Sequence, residues 1–153
     1  MGKIYTNTKT SKKSDRKVIL STLWIFATLN YLYCDIMSLM DSTQLKQMMT
    51  GQAGPFKITQ GFLLGAAILM EIPIAMVILS WILNYKANRL ANIISGTIMT
   101  IVQISSLFTG KPTMYYAFFS TIEISCTLFI IWYAWSWPEP EDILHNNPNS
   151  IQD

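Results

Sequence analysis

Four long runs of apolar residues, separated by shorter polar stretches, dominate the pattern of this chain. They cover residues 18–40, 61–83, 90–108 and 114–137. Each run is close to the ~20 residues that a helix needs to cross a hydrocarbon core about 30 Å thick. The pattern therefore predicts an all-α protein with four transmembrane helices.

The segments between the runs contain residues that end and restart helices. Between the first two runs, Asp41 or Ser42 can cap a short interfacial helix over residues 42–49. Residues 84–89 and 109–113 are polar and short enough to be turns. Because two of the connections are short, we predict an antiparallel bundle that runs up, down, up and down.

Composition supports a membrane protein. Hydrophobic residues make up 51% of the chain and charged residues 13%, against about 25% charged residues in soluble domains. The charges concentrate in a basic arm at residues 1–17 and an acidic, Asn-rich tail at residues 138–153. We predict a membrane domain over residues 18–137 between them, and no regular structure in the arm. The first run is too long for a signal peptide, and no A-x-A cleavage site follows it.

The distribution of Lys and Arg predicts the orientation. With the N-terminus inside, the inner side has eight of these residues and the outer side has three, Lys46, Lys57 and Lys111. This positive-inside bias places both termini in the cytoplasm. The basic arm is then expected to meet anionic lipid headgroups rather than nucleic acid.

Acidic residues inside the apolar runs are the strongest functional signal. Glu71 and Glu123 lie near the middle of the second and fourth spans, and Asp35 lies about one turn from the outer end of the first. Ionisable residues at this depth are costly and mark functional sites by default. At ~1.5 Å of rise per residue, Asn30 shares the level of the two glutamates, and Gln103 lies slightly nearer the outer side. We predict that these five residues form an acidic ligand-binding cavity in the outer half.

Helical spacing aligns further polar residues with these. The stripes comprise residues 30, 31, 34 and 38 on the first span, 100, 103 and 106 on the third, and 116, 120, 123 and 127 on the fourth. The simplest packing turns all of them inward. The alternative is that protonated acids hydrogen-bond to Gln103 or Asn30 and only hold the helices together.

Two features of the second span bear on its packing. Gly61 and Gly65 have the G-x-x-x-G spacing that allows a neighbouring helix to approach closely. Pro73 frees the carbonyl of Leu69, and a kink beside Glu71 would shape a site.

The sequence gives no support for a metal site or for thiol chemistry. Cys34 and Cys126 are the two cysteines, and they form no C-x-x-C motif. The one histidine, His145, lies in the tail. We therefore predict no catalytic residue, no metal and no cofactor.

Several segments resemble a known family. They are residues 20–26, 58–64, 70–76, 85–89, 91–94, 122–123 and 131–135. Over residues 18–137 the chain resembles small bacterial membrane proteins of unknown function that are broadly DoxX-like in their four-helix layout. The resemblance implies a multi-pass bundle of the bacterial inner membrane and brings no activity, cofactor or substrate.

Three functions compete on this basis. The first is a binding or transport-type bundle, either alone or as a homo-oligomer, whose cavity takes a cation, a proton or a small ligand. The second is an accessory or assembly subunit with charged cytoplasmic segments. The third is an enzyme that uses Glu71 and Glu123 on an apolar substrate such as a lipid or quinone. We rank enzyme last, and in every case the lipid bilayer is a partner and nucleic acid is not.

Overall fold

The computed structural model describes residues 3–109 and 112–137, with side chains described from residue 15 onward in these ranges. The helices are α1 (Lys3–Met40), α2 (Ser42–Met49), α3 (Gln60–Ile82), α4 (Tyr85–Phe108) and α5 (Met114–Trp135), and a small hairpin joins β1 (Gln52–Ala53) to β2 (Phe56–Lys57). Asp15–Met40, α3, α4 and α5 are long and apolar enough to cross a membrane. The predicted all-α fold with four spans is confirmed. The predicted tail at residues 138–153 lies outside the described residues.

The basic arm continues the first helix. α1 begins at Lys3, whereas we predicted no regular structure before residue 17. No glycine or proline interrupts residues 3–17, and Lys and Arg are good helix formers. The helix of the span can therefore extend into the arm.

The third span begins earlier than predicted. The side chain of Asn84 accepts a hydrogen bond from the backbone N–H of Ala87 at 3.2 Å and so caps α4. Residues 85–89, which we predicted as a turn, are instead the first turn of α4. The prediction of a loop at these residues was wrong because an Asn cap can start a helix directly after another has ended.

The predicted short helix between the first two spans is confirmed as α2. The Asp41 carboxylate caps it by accepting from the backbone N–H of Thr43 at 2.9 Å. Gly51 and Gly54 follow with positive φ angles of 77° and 57°, a conformation that favours glycine. These two glycines let the chain turn into and through the β1–β2 hairpin.

The helices are joined more firmly at one end of the bundle than at the other. We call the end that holds residues 15 and 137 the terminal end, and the end that holds α2 and the hairpin the loop end. At the terminal end, Lys17 Nζ donates to the carbonyls of Trp81 (3.0 Å) and Leu83 (2.6 Å). Arg16 donates to the carbonyl of Ser136 at 3.2 Å. The two basic side chains thus stabilise the C-termini of α3 and α5, where carbonyls lack helical partners.

A buried network of amide side chains continues these contacts inside the bundle. Trp24 Nε1 donates to Asn92 Oδ1 at 2.7 Å, and Asn92 Nδ2 donates to Asn88 Oδ1 at 2.6 Å. Asn88 Nδ2 in turn donates to the carbonyl of Ser80 at 2.7 Å. Trp24, Asn88 and Asn92 are fully buried. Because these bonds lie in a low-dielectric core, they join α1, α3 and α4 firmly.

Helices α4 and α5 are in close contact at Gly96. A Cβ atom there would lie 2.8 Å from Ile131 Cγ1 and 3.4 Å from the carbonyl oxygen of Thr127. The hydroxyls of Thr100 and Thr127 lie 2.8 Å apart one turn further along. The close approach predicted at the glycines of α3 is wrong within this chain, since a Cβ at Gly65 would meet nothing within 4 Å.

The loop end is open on the side of α3. Residues 61–68 are all exposed, whereas Pro73, Met76 and Ser80 are buried. The Pro73 ring faces the core and crowds the Leu69 carbonyl, which lacks its usual amide partner. Crowding on this side favours a bend of α3 away from the core, and we infer that such a bend leaves its loop-end half exposed.

The Gly96 contact predicts a specific packing defect. Gly96→Ala should lower the free energy of unfolding by about 1–3 kcal/mol, because the new methyl group overpacks the α4–α5 contact. Gly65→Ala is the matched control and should change it by no more than about 1 kcal/mol. Unfolding in one detergent measures both, and equal stability of the two variants would contradict the assigned contact.

The Pro73 bend predicts a change of shape. Pro73→Ala restores the missing hydrogen bond and should straighten α3 towards α4. Spin labels at Phe62→Cys and Ser105→Cys, with both native cysteines changed to serine, should then move several ångströms closer. A label pair at Leu79 and Leu90, at the terminal end, should not move. An unchanged loop-end distance would show that Pro73 does not hold the end open.

Candidate functional site

A cavity of about 910 Å³ occupies the loop end between α3 and α4. All five helices and the hairpin contribute residues to its lining. Apolar positions include Leu39, Met48, Phe56, Phe62, Leu69 and Val102, and polar positions include Asp35, Ser38, Gln44, Ser105, Ser106, Thr109, Thr113 and Tyr116. The cavity is therefore amphipathic, and the exposed loop-end half of α3 forms one of its walls.

The polar wall is organised by tyrosines of α5. The Tyr116 hydroxyl lies 2.6 Å from Ser106 Oγ of α4, and the Tyr115 hydroxyl lies 3.5 Å from Ser38 Oγ of α1. These contacts connect the three helices that face α3 across the cavity. They hold one wall in place while the α3 wall stands apart.

Asp35 supplies the carboxylate of the cavity. It is exposed on α1 and lines the space together with Ser38. No Lys, Arg or His is among the described residues of the lining. The local charge of the described wall is therefore negative whenever Asp35 is ionised.

A second acid lies deeper, on the face of α5 that carries Tyr116. Glu123 is two helical turns beyond Tyr116, a distance of about 10 Å. Its side chain is 1% exposed, and neither carboxyl oxygen has a hydrogen-bond partner among the described residues. The Tyr31 hydroxyl is likewise buried and unpartnered there. Since nearly all buried polar groups in proteins are hydrogen-bonded, this pair requires an explanation.

Glu123 shares its surroundings with the groups of the cavity. It lies within electrostatic range of Asp35, Tyr31 and Tyr116. Two carboxyls and two phenols thus form one electrostatic unit, of which Asp35 and Tyr116 line the cavity and Glu123 and Tyr31 do not. Such a unit can accept a cation or a group that donates hydrogen bonds.

Gln103 is buried next to this unit but has its own partner. Its Nε2 donates to Ser120 Oγ at 2.8 Å and links α4 to α5. The predicted inward stripes on these two helices are confirmed, since Thr100, Gln103, Ser120 and Glu123 are all buried. Gln103 is therefore a structural neighbour of Glu123 rather than its hydrogen-bond donor.

Asn30 and Glu71 do not join the site. Asn30 Nδ2 donates to the carbonyl of Phe26 in its own helix at 2.9 Å. Glu71 is exposed and does not line the cavity. The prediction that five residues form one cavity is wrong for these two, because depth along a helix does not determine the direction in which a side chain points. At ~100° per residue, Glu71 lies nearly opposite the buried Pro73.

Sequence reasoning missed two sets of residues. The first is the network of Asn88 and Asn92, whose i, i+4 spacing continues into Gly96 and Thr100 and could have revealed it. The assumption of a turn at residues 84–89 hid this signal. The second set is the hairpin and α2 side chains over the cavity, such as Met48 and Phe56. No periodic pattern marks them.

The fold and the cavity define a small multi-span membrane protein with an open polar end and a closed end. Comparison of the chain with known families gives a match over residues 9–143. The chain belongs to that family, a family of unknown function (DUF6326). No curated protein and no solved structure matches the chain. Its function must therefore be argued from its own geometry.

The unpartnered state of Glu123 predicts a stability difference. Glu123→Met should raise the free energy of unfolding by about 1 kcal/mol, because an apolar group replaces a buried group without partners. Gln103→Met should lower it by about 1–3 kcal/mol, because Ser120 loses its partner. Thermal unfolding in one detergent compares them. If both variants lose similar stability, Glu123 serves to hold the helices together.

Proposed function

We propose that the protein is a binding, transport-type membrane bundle whose loop-end cavity accepts a small organic cation. The observation that carries this proposal is the unpartnered Glu123 carboxyl beneath a cavity whose described wall has Asp35 and no basic side chain. Natural proteins keep such a destabilising arrangement where function requires it. Ligand binding would supply the missing partner.

The size and lining of the cavity favour an organic ligand over a bare ion. Its volume of about 910 Å³ falls within the range of sites that bury drug-sized molecules. An inorganic cation such as Ca²⁺ needs about six to eight oxygen ligands at close range. The cavity has instead a large apolar share in Leu39, Phe62 and Leu69. A molecule with an apolar body and one positive centre uses both kinds of surface.

Charge would attract the ligand and aromatic rings would hold it. Asp35 raises the local concentration of cations at the mouth. Tyr116 lines the cavity, and Tyr31 lies buried towards Glu123. Phenol rings attract organic cations through their electron-rich faces, with about 0.5–2 kcal/mol for each contact. Glu123, which lies outside the cavity lining and two helical turns beyond Tyr116, would provide a second negative charge.

The predicted topology indicates the side of the membrane from which the ligand would enter. The excess of Lys and Arg towards the terminal end favours a loop end outside the cell, and in that orientation the ligand would enter from the outer side. A bacterial inner membrane and a DoxX-like relationship follow from the resemblance and are part of the same proposal. Transport would require the Asn88–Asn92–Trp24 network at the terminal end to open.

Tetraphenylphosphonium tests this proposal, because it is a permanent cation with an apolar body. Purified wild-type protein should show saturable binding of the radiolabelled compound in a scintillation proximity assay. Glu123→Gln should weaken this binding by about tenfold or more, since a buried charge partner contributes at least ~1.4 kcal/mol. Asp35→Asn, at an exposed position, should weaken it by about two- to fivefold. Glu71→Gln is the matched control and should bind like wild type, because Glu71 lies outside the cavity.

Tetraphenylborate provides the control for charge in a separate assay. It has nearly the same shape and the opposite sign, so it should show no saturable binding. Equal binding of the two ions would contradict the proposal. So would wild-type affinity for tetraphenylphosphonium in folded Glu123→Gln and Asp35→Asn proteins.

A further inference from the structure

Glu71 occupies the centre of α3 on the face that points away from the bundle. Eleven residues separate it from Gln60 at one end of the helix, and eleven from Ile82 at the other. The carboxyl is therefore about 16 Å from either end. Because it is exposed and nearly opposite the buried Pro73, it faces the hydrocarbon when the helix spans a membrane.

The surrounding surface consists of large aliphatic side chains with a gap at Glu71. Leu64, Ile68, Ile78 and Ile82 are between 60% and 72% exposed. Ala67 and Ala75 stand one turn before and one turn after Glu71, at i−4 and i+4. We call this surface, from Leu64 to Ile82, the Glu71 face. The two alanines leave a notch in which another helix can reach the carboxyl.

Nothing in the described part of the chain satisfies Glu71. Arg16 and Lys17 are engaged at the terminal end, and both lie far from the centre of α3. A carboxyl in hydrocarbon without a hydrogen-bond partner is costly even when it is protonated. A partner from outside the chain is therefore required.

We propose that the Glu71 face is the interface between two copies of this chain. Membrane insertion gives every copy the same orientation, so a twofold axis along the membrane normal places α3 parallel to its symmetry mate. Each Glu71 then meets the other copy's Glu71 at the same depth. A foreign partner would have to carry a suitable group at this level, whereas a second copy supplies one by symmetry.

Two carboxyls are complementary to each other in this arrangement. A protonated carboxyl has one donor and one acceptor, so two of them satisfy each other in a paired hydrogen bond. Ala67 and Ala75 allow the helices to come close enough for this contact. The Glu71 face lies on the side of α3 away from the cavity, so this inference does not depend on the proposed ligand.

Disulfide trapping in lipid vesicles tests the interface. With both native cysteines changed to serine, Ala67→Cys should form a covalent dimer on mild oxidation. Thr121→Cys is the matched control, because it is exposed at the same distance from the loop end of its own helix, α5. It should give little dimer. Equal cross-linking at the two positions, or none at Ala67, would overturn the proposal.

The role of the carboxyl is tested by single-molecule photobleaching of labelled protein in vesicles at known dilution. Glu71→Leu should lower the dimerisation constant by about three- to thirtyfold, which is the range of one hydrogen bond between membrane helices. Glu71→Gln should retain the dimer, because paired amides also donate and accept. Dimerisation of Glu71→Leu equal to wild type would overturn the proposal, as would a monomeric wild-type protein.

Discussion

The hydrocarbon interior of a membrane offers no hydrogen bonds, and this constraint explains most of the arrangement of the chain. Every polar group at depth must find a partner within the protein. At the terminal end most of these groups do so, although the buried Ser80 hydroxyl has no hydrogen-bond partner among the described residues. Asn92, Asn88 and Trp24 satisfy one another, and Lys17 stabilises the exposed carbonyls of α3. These contacts close the end and fix how α1, α3 and α4 stand relative to each other.

The same constraint makes the polar groups that lack a partner informative. Glu123 and Tyr31 are buried without hydrogen-bond partners in the part of the chain that the structure describes, whereas Glu71 is exposed in the middle of an apolar face. The two glutamates lie at similar depths and yet have opposite surroundings. One points into the bundle below an open cavity, which favours a ligand. The other points outward between two alanines, which favours a second copy of the chain. Pro73 connects the two features, because the bend inferred there belongs to the helix that lines the cavity and carries Glu71.

Much of the fold could be predicted from the sequence because length and hydropathy determine it. The four spans follow from the width of the membrane, and α2 follows from an Asp cap with a glycine shortly after the helix. The inward stripes of α4 and α5 follow from helical periodicity. The direction of Glu71 could not be predicted from its depth, since this requires knowing which face of α3 packs against α1. A close helix contact lies at Gly96 and not at Gly65, because a Cβ atom at Gly65 would meet nothing within 4 Å.

The central claim is that the bundle is closed at the terminal end and open to water at the loop end. Val102 and Ala91 of α4 test it directly, since each is half-buried and six residues from its own end of the helix. Each would be changed to cysteine without the native cysteines and treated with a charged, membrane-impermeant methanethiosulfonate reagent supplied on both sides of the membrane. The account predicts rapid labelling of Val102→Cys, which lines the cavity, and slow labelling of Ala91→Cys, which packs against the core. Equal rates at the two positions, or faster labelling of Ala91→Cys, would contradict it.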